Sequence, residues 1–513
     1  MKVLFIYTDV SSAVGYTAAI GSLSAILKRE GHETKLIHVS NELGYPLDLE
    51  RINGDIREYG PDLICFSITT NQWFFARQIG RSVGEEFDIP IIVGGHHPTA
   101  APEKVIAEPW VDMVCRGEGD KALVEVLERI ADGSSMNGIR NIYHKDNGRI
   151  IREPLGTWID DLDSLPFDDR DVFDYSKIVD TRSGWAEVIV TRGCPYPCTY
   201  CFNTPLIKEY GKDIASRDGA KFEKKIFINR RRSVGETIRM LKELTQTYQN
   251  ITGITFVDDI MAREGEWFEE FSKRYSKEIG LPYACTSHPM LLSEKVAGML
   301  KESGCKVVKM GVEAGNADIR RKVLKRNISN ERLRDVFGVA KDLGLKPQAF
   351  NMIGIPGETL EDIMETARMN AEIKPYIVWV STFVPYPGTE LYMECERKGM
   401  IDESKWEIVD SYRGASVLKD EYLPSLDFEK IRVMFRWLLN ANLKNEGSGI
   451  YEENLRELSS LPDDQWRAGE AERLFVERDA EIDRHLREKD ISHYVSKKYI
   501  NILWGREYNY DLT

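Results

Sequence analysis

The 513-residue sequence lacks any apolar run that approaches the roughly 20 residues needed to span a bilayer. It also lacks a signal-peptide layout, because Met1-Lys2 is followed at once by the strand-like segment Val3–Tyr7. We therefore expect no membrane span and a cytoplasmic location. Apolar residues make up 42% of the chain and charged residues 30%, which is typical of a globular protein and not of a disordered one.

An excess of positive charge is also missing. The chain has 69 basic and 83 acidic residues, a net charge of −14, which argues against a nucleic-acid partner or an anionic membrane surface. One basic run departs from this balance, Lys224-Lys225 followed by Arg230-Arg231-Arg232. We interpret this run as a solvated loop face, since charge runs usually are.

The first 150 residues alternate short apolar runs with amphipathic segments. Continuous apolar strands separated by helices predict a doubly wound α/β domain, a parallel sheet covered on both faces, over residues 1–150. Ligands bind such sheets at the carboxyl ends of the strands. No G-x-G-x-x-G follows the first strand, so a dinucleotide site is not indicated. The predicted strands are Val3–Tyr7, Thr34–Val39, Leu63–Ile68, Ile91–Val93 and Val111–Arg116, and the predicted helices are Ala18–Glu30, Ile52–Tyr59, Phe74–Phe87 and Ala122–Ala131.

A second alternation follows a proline- and aspartate-rich linker, residues 151–185. Six strand-and-helix units are too few for an eight-fold barrel, so residues 186–400 predict a partial (β/α)6 barrel. From 401 to 513 the pattern changes to polar helices, and we expect a mainly helical C-terminal domain. The six predicted strands are Ala186–Thr191, Gly253–Val257, Tyr283–Thr286, Val307–Val312, Gln348–Ile353 and Ile377–Val384.

Cysteine is scarce, yet three of the eight cysteines fall within Cys194-Pro-Tyr-Pro-Cys198-Thr-Tyr-Cys201, directly after the first barrel strand. Cytosolic cysteines are more often thiols or metal ligands than disulfides. Structural zinc sites normally take a fourth protein ligand and pair two such knuckles, and the other five cysteines are scattered. Thiolates also anchor [4Fe–4S] clusters, and three of them leave one iron open. A zinc site or a group of buried thiols stays the alternative.

Cys-x3-Cys-x2-Cys after the first strand of a six-unit partial barrel resembles the radical S-adenosylmethionine (SAM) superfamily, over about residues 186–390. The resemblance implies a [4Fe–4S] cluster on Cys194, Cys198 and Cys201. Its open iron would chelate SAM, and an electron would cleave SAM to methionine and a 5′-deoxyadenosyl radical. It also implies a reducing partner such as flavodoxin or ferredoxin and a small-molecule substrate.

The same resemblance implies the SAM contacts. Tyr200 matches an aromatic position beside the adenine, and Gly354, in Met352–Gly357, matches a turn that approaches it. Asp258 and Asp259 stand where the family usually has Gly-Gly-Glu, a departure that puts the contact with the SAM amine in question. The expected contacts are therefore Tyr200, Asp258, Asp259, Ser287, Glu313, Arg326 and Gly354.

A doubly wound domain before such a barrel resembles the cobalamin-binding subclass, which includes methyltransferases and anaerobic porphyrin ring cyclases. The Asp-x-His-x-x-Gly motif of many cobalamin carriers is absent, because the opening loop reads Thr8-Asp9-Val10-Ser11-Ser12. We interpret His96 and His97 mainly as loop-stabilising groups and keep cobalt ligation as the alternative. The expected cobalamin contacts are Ser67, Thr69, Thr70, Gly94, Gly95, His96, His97, Gly117 and Glu118.

Methyl transfer from methylcobalamin to an unactivated carbon is the function that this resemblance implies most directly. A radical SAM enzyme that lacks cobalamin and carries out another group transfer, a rearrangement or an oxidative cyclisation is the first alternative. A non-catalytic iron–sulfur electron-transfer protein is the alternative from a different class.

Overall fold

The computed structural model describes residues 1–10, 14–156, 158–216, 221–408, 416–497 and 500–505. Ser11 and Ser12 of the opening loop lie outside the described residues. The chain divides into two units, residues 1–259 with 386–393, and residues 260–385 with 394–513. The domain boundaries expected from the sequence stay predictions.

The first unit begins with a seven-stranded sheet. Its first five strands pair in parallel, as the apolar runs predict, and the last two add an antiparallel hairpin that the sequence analysis missed. The two strands of this hairpin are short and mix apolar with charged residues, so they give no continuous apolar run. In the sheet order β2-β1-β3-β4-β5-β6-β7, the strands are β1 (Lys2–Thr8), β2 (Glu33–Val39), β3 (Leu63–Ser67), β4 (Ile91–Gly94), β5 (Met113–Cys115), β6 (Ile142–Asp146) and β7 (Arg149–Arg152).

The core of this sheet is apolar on both faces. Leu4, Phe66 and Val93 of the central strands are at most 2% exposed, and they pack against helix residues such as Ile56 and Ile79. Burying each such side chain contributes on the order of 2 kcal/mol. The helices of the first unit are α1 (Ala18–Arg29), α2 (Leu49–Tyr59), α3 (Trp73–Glu86), α4 (His96–Ala100), α5 (Pro102–Ile106), α6 (Ala122–Asp132), α7 (Tyr175–Thr181), α8 (Asn203–Ala215), α9 (Lys224–Phe227) and α10 (Val234–Thr247).

Two further strand pairs complete the first unit. Strand β8 (Trp185–Val188) runs parallel to β11 (Gly253–Phe256), the first two strands of the predicted barrel series. Strand β9 (Thr191–Arg192) pairs antiparallel with β10 (Arg230–Arg231) and forms a short ribbon. The cysteine motif follows β9 directly, so this ribbon holds the start of the cysteine loop.

The second unit carries the later strand-and-helix units. Its parallel strands are β12 (Tyr283–Thr286), β13 (Cys305–Glu313), β14 (Lys346–Ile353) and β15 (Ile377–Thr382). The C-terminal hairpin of β16 (His493–Lys497) and β17 (Ile500–Trp504) adds antiparallel to β15. The sequence analysis expected mainly helices there and missed this hairpin. Within this unit the strand order is β16-β17-β15-β14-β13-β12.

The helices of the second unit follow the amphipathic pattern, and Ser293, Ser329 and Thr359 cap three of them through their hydroxyl oxygens. No helix among the described residues is long and apolar enough to cross a membrane. The helices are α11 (Glu266–Glu278), α12 (Glu294–Glu302), α13 (Asn330–Asp342), α14 (Leu360–Ile373), α15 (Glu390–Arg397, which begins in the first unit), α16 (Ser425–Ala441), α17 (Ser448–Ser459), α18 (Asp463–Arg467) and α19 (Glu470–Glu488).

Candidate active site

The cysteine loop of the first unit starts from a constrained turn. Gly193 has φ +99°, and a Cβ there would lie 2.7 Å from the Ile228 Cα. Cys194, Cys198 and Cys201 follow, none of them in a disulfide, the second buried and the other two half-buried. Burial raises the pKa of Cys201 to about 12, and the nearby charges of Cys194 and Cys198 add to this rise. The three thiols therefore lie near one another at the start of α8.

This donor set fits a cluster better than a single ion. Within the described parts of the chain, no group of three or more His, Cys, Asp or Glu side chains is arranged to hold one metal ion. A [4Fe–4S] cluster binds its thiolates on different irons, so its ligands need to surround a larger body. Three thiols in one loop, none of them in a disulfide, suit such a cluster with one iron left open.

The two aspartates that follow β11 have different environments. Asp258 is buried, and its Oδ1 accepts hydrogen bonds from the Val190 and Thr191 amides at 2.9 and 2.6 Å. Burial raises the pKa of Asp258 to about 6. Asp259 is exposed, and its Oδ2 accepts from the Asn203 amide at 2.9 Å. Asp258 thus fastens the strand that precedes the cysteine loop, while Asp259 offers its carboxylate to a ligand.

A cavity of about 550 Å³ lies at the carboxyl ends of the parallel strands of the first unit. Both the loops of the N-terminal sheet and the end of the cysteine loop line it. Six of the nine expected cobalamin contacts are in its lining, together with three other residues predicted for the cluster and SAM. These are Ser67, Gly94, Gly95, His96, Gly117 and Glu118 from the sheet loops, and Cys201, Asp258 and Asp259.

The adjacent histidines His96 and His97 have separate roles. His96 is exposed in the cavity, and its ring lies 4.7 Å from the ring of Phe202, the residue after Cys201. His97 is buried, 5.0 Å from the Trp73 ring, and its Nδ1 lies 3.3 Å from the Thr70 Oγ1. Burial lowers the pKa of His97 to about 3. His97 therefore stabilises the loop, whereas His96 is available to a ligand.

Thr69 and Thr70, like His97, are not part of the cavity lining. Thr69 forms a capping box with Gln72, whose Oε1 accepts from the Thr69 amide at 2.9 Å. Tyr200, between two of the cysteines, is half-buried and is also not in the lining.

The glycines at the sheet edge differ in how closely other atoms of the chain approach them. Gly95 has φ +106°, and a Cβ there would lie 2.5 Å from the Ile68 carbonyl oxygen. A Cβ on Gly117 would lie 2.4 Å from the Tyr210 hydroxyl. At Gly94 a Cβ would make only ordinary contacts, the nearest 3.6 Å to Cys115. Chain packing alone therefore explains the first two glycines, whereas packing does not require a glycine at Gly94, which also lines the cavity.

Glu118 lines the cavity but is held by arginines. Its Oε1 accepts from the Arg230 Nη2 at 2.6 Å, and its Oε2 accepts from the Arg192 Nη1 at 3.1 Å. Arg230 and Arg232 are 4% and 6% exposed, so the solvated-face interpretation of the basic run is wrong for both. It holds for Lys224, which is exposed. Sequence spacing carries no signal for these pairs, because their partners lie far away along the chain.

In the second unit, Glu313 ends β13 in a left-handed conformation with φ +70°. Its Oε1 lies 3.8 Å from the Arg326 Nη1, and the Arg326 Nη2 donates to the Gly311 carbonyl at 3.0 Å. A Cβ on Gly311 would lie 1.9 Å from that Oε1. Glu313 and Arg326, both predicted SAM contacts, are thus brought together in this unit.

Arg320 is a residue that the sequence analysis missed. It lies in a π-helical turn, Ile319–Val323, and its side chain is fully buried. Its guanidinium donates to the Ala314 and Gly315 carbonyls and, through Nε at 3.1 Å, to the Ile328 carbonyl. Burial lowers the pKa of Arg320 to about 10. Arg320 therefore holds the loop that carries Glu313 in its strained conformation.

The remaining predicted SAM contacts in the second unit form hydrogen bonds with other residues of the chain. Ser287 is buried and its hydroxyl donates to the Ala262 carbonyl at 2.8 Å. Gly354 has φ +81°, and its amide donates to the Glu358 Oε2 at 2.7 Å, as does the Ile355 amide at 3.0 Å. Glu358 was also missed from sequence; it closes the turn after β14.

Two family models match the chain. The B12 binding domain matches residues 6–127, and the Radical SAM superfamily matches residues 188–369. The chain is a radical SAM enzyme with a B12-binding domain. The radical SAM domain implies a [4Fe–4S] cluster and SAM, and the B12-binding domain implies cobalamin, as the sequence analysis predicted.

Relatives of this radical SAM enzyme span most of its length. It is 27% identical to an uncharacterized methyltransferase, PH0819, of Pyrococcus horikoshii, over 79% of this chain and 85% of the relative. It is 25% identical to the anaerobic magnesium-protoporphyrin IX monomethyl ester cyclase of Rubrivivax gelatinosus, over 80% and 73%. It is 22% identical to the cytidylyl-2-hydroxyethylphosphonate methyltransferase of Streptomyces wedmorensis, over 75% and 79%.

Solved structures share the fold of this radical SAM enzyme. The methyltransferase TsrM from Kitasatospora setae, with cobalamin and a [4Fe–4S] cluster bound, superposes with a TM-score of 0.60 at 16% identity, over 77% of this chain and 75% of that one. The cobalamin-dependent enzyme OxsB, in its apo form, superposes with a TM-score of 0.65 at 15% identity, over 89% and 71%. The predicted fold class, a doubly wound parallel sheet followed by a partial barrel and a helical region, is confirmed.

Proposed function

We propose that this radical SAM enzyme transfers a methyl group to an unactivated carbon of a small-molecule substrate in a cobalamin-dependent reaction. The observation that carries the proposal is the cavity in the first unit. Glycine-rich loops of the N-terminal sheet and the segment Cys201–Asn203 line the same space. A corrinoid on the sheet edge and a cluster on the cysteine loop would then face a common chamber.

Cys194, Cys198 and Cys201 would hold the cluster, since the three thiols lie close together in sequence in one loop and none is in a disulfide. When bound, the cluster supplies the electron that cleaves SAM, and the corrinoid supplies the methyl group. Other residues of the protein hold the cysteine loop in place. Asp258 does so through the Val190 and Thr191 amides, and Gly193 does so through its close approach to Ile228.

Asp259 is the proposed partner of the SAM amino group. Its carboxylate is exposed, lines the cavity, and is oriented by the Asn203 amide two residues after Cys201. A nearby carboxylate stabilises an ammonium group, so aspartate serves the charge role of the family's usual glutamate. Asp258, which accepts from three donors of the adjacent residues Val190 and Thr191, keeps a structural role instead.

Glu313 and Arg326 are the proposed partners of the SAM ribose and carboxylate. The Gly311 carbonyl holds the Arg326 side chain, and the buried Arg320 holds the backbone just after Glu313, before any ligand binds. Such preorganisation lowers the entropy lost on binding. We keep Tyr200, Ser287 and Gly354 as proposed SAM contacts on the family resemblance alone.

The proposed corrinoid contacts that line the cavity are Ser67, Gly94, Gly95, His96, Gly117 and Glu118. Chain packing does not require a glycine at Gly94, and His96 presents an exposed imidazole. Thr69, Thr70 and His97 engage one another or Gln72 within the loop. We propose that these three shape the loop and do not contact the corrinoid.

The names of two relatives support methyl transfer, and the name of the magnesium-protoporphyrin cyclase supports an oxidative cyclisation as the second candidate. A reducing partner such as flavodoxin or ferredoxin would supply the electron.

The test starts with protein purified without oxygen from cobalamin-replete cells. We expect about four irons and one corrinoid per chain. With reductant and SAM that carries a deuterated methyl group, we expect 5′-deoxyadenosine and label in the extracted corrinoid fraction. The control is Cys395→Ala, which removes a buried thiol remote in sequence from the motif.

Each result separates the candidates. Iron and SAM cleavage without corrinoid, after attempted reconstitution, would contradict the cobalamin-dependent proposal. A bound corrinoid that never acquires label would favour the cyclisation candidate. Zinc without iron would contradict the cluster assignment.

A further inference from the structure

The short ribbon before the cysteine loop places two like charges together. In the β9–β10 pair, Arg192 stands directly opposite Arg230. Like charges directly opposite each other in a strand pair are destabilising. The ribbon therefore needs compensating negative charge from another segment.

That charge comes from the turn after β5. Arg192 donates to both oxygens of Asp120 at 2.9 Å and to the Glu118 Oε2 at 3.1 Å. Arg230 donates to both oxygens of Glu118, at 2.6 and 3.0 Å. Paired N–H···O bonds of this kind fix orientation as well as distance.

The four side chains are mostly withdrawn from water. The exposed fractions are 27% for Arg192, 2% for Arg230, 14% for Glu118 and 7% for Asp120. Their formal charges cancel, so removing one partner leaves an uncompensated charge in a poorly solvated place. Such a quartet has one favourable arrangement.

The quartet joins the two halves of the proposed site. Glu118 and Asp120 belong to the turn that includes Gly117, which lines the cavity on the sheet side. Arg192 precedes the first cluster cysteine, Cys194, by two positions. These hydrogen bonds therefore link this turn to the short strand from which the cysteine loop starts.

We propose that Arg192 is a positioning residue that sets the place of the cluster loop relative to the corrinoid-binding turn through Asp120 and Glu118. The proposal rests on the proposed function for its purpose, because only a reaction that uses both groups needs their separation fixed. Misplacement by about 1 Å costs on the order of 100-fold in such reactions.

The first experiment uses the full chain without cofactors. Hydrogen exchange is followed in wild type, Arg192→Met, Arg192→Lys and Asp120→Asn. Arg152→Met is the matched control, because Arg152 forms an equally bidentate but exposed pair with Glu103 at 2.7 Å. We expect amide exchange in residues 193–203 to rise about tenfold or more in Arg192→Met, with the β1–β5 core unchanged.

Arg192→Lys should restore part of the protection from amide exchange. Lysine keeps the positive charge but lacks the planar guanidinium that donates paired hydrogen bonds. Arg152→Met should match wild type. Exchange in residues 193–203 equal to wild type in Arg192→Met would overturn the proposal. An equal rise over the β1–β5 core would also overturn it, because it would indicate a general loss of stability.

The second experiment measures separation in the loaded enzyme. The protein is reconstituted with iron, sulfide and hydroxocobalamin and reduced, and pulsed electron paramagnetic resonance measures the magnetic coupling between the cluster and cob(II)alamin. We expect one defined coupling in wild type and Arg152→Met, and a broadened distribution in Arg192→Met. An unchanged distribution would overturn the proposal. If wild type binds no corrinoid, the proposed function fails, and the exchange experiment still decides the positioning role.

Discussion

Replacing Glu358 with glutamine should remove a pH dependence from the stability of the second unit. Glu358 is buried, and its Oε2 accepts from the Gly354 and Ile355 amides at 2.7 and 3.0 Å. Its Oε1 is buried with no hydrogen-bond partner among the described residues. Burial raises the pKa of Glu358 to about 8, against the lowering effect of the two amides.

The direction in which the free energy of unfolding changes with pH follows from proton binding by Glu358. Between a pH of about 4.5 and the folded pKa, the folded state keeps a proton that the unfolded state has lost. The stabilising contribution is therefore complete below the unfolded pKa and is lost as the pH rises through about 8. The slope is about 1.4 kcal/mol per pH unit, or about 4 kcal/mol between pH 5 and pH 8.

The assay is thermal unfolding of the second unit by calorimetry between pH 5 and pH 9. For a unit of this size, about 1 kcal/mol shifts the Tm by about 2–4 °C, so wild type should lose about 3–6 °C per pH unit relative to Glu358→Gln. Glu361→Gln is the control, because Glu361 lies three residues further on, in the first turn of α14, and is 62% exposed. The Tm of Glu361→Gln should change with pH in the same way as the Tm of wild type.

Parallel curves for wild type and Glu358→Gln between pH 5 and pH 8 would refute the reasoning. A Glu358→Gln variant that loses stability equally at every pH would show that the carboxylate is charged in the folded protein. The two amide bonds would then outweigh burial.

Three further outcomes are expected. Cys198→Ala should lose most of the bound iron while Cys395→Ala keeps it, and iron retained by Cys198→Ala would contradict the cluster assignment. Gly95→Ala should bind little corrinoid, because its Cβ would lie 2.5 Å from a backbone oxygen. Gly133→Ala, with open space around a similar positive φ, should bind corrinoid normally, and equal binding by both variants would contradict this. Arg320→Met should destabilise the second unit by about 3 kcal/mol or more, since it leaves buried carbonyls unpaired, and a change below about 1 kcal/mol in calorimetry would refute that role.

Much of the fold was predictable because its signals are local. Val3–Tyr7 and Leu63–Ile68 are continuous apolar runs, and both lie in buried parallel strands. The hairpin of β6 and β7 was missed because its strands are short and mix apolar with charged residues, so neither forms a continuous apolar run. The C-terminal hairpin was missed because helical patterns surround it.

The residues of the candidate site were predictable from the sequence only in part. The sequence placed Glu118 among the corrinoid contacts, and the structure shows this residue in the cavity wall but held by Arg230. The sequence suggested the same roles for His96 and His97. Only the packing in the structure shows that the His96 ring is exposed and the His97 ring is buried. Arg320 had no sequence signal, because its partners are backbone carbonyls.

By itself, the sequence determined the cysteine loop, the alternation of strands and helices, and the order of the two domains. These features depend on residues that are neighbours along the chain, so spacing and periodicity reveal them. Only the tertiary structure decided that Arg192 pairs with Glu118 and Arg230 with the same carboxylate, across 74 and 112 positions of sequence. Such contacts depend on which strands become neighbours in the sheet, and the free energy that selects them is shared among many buried residues.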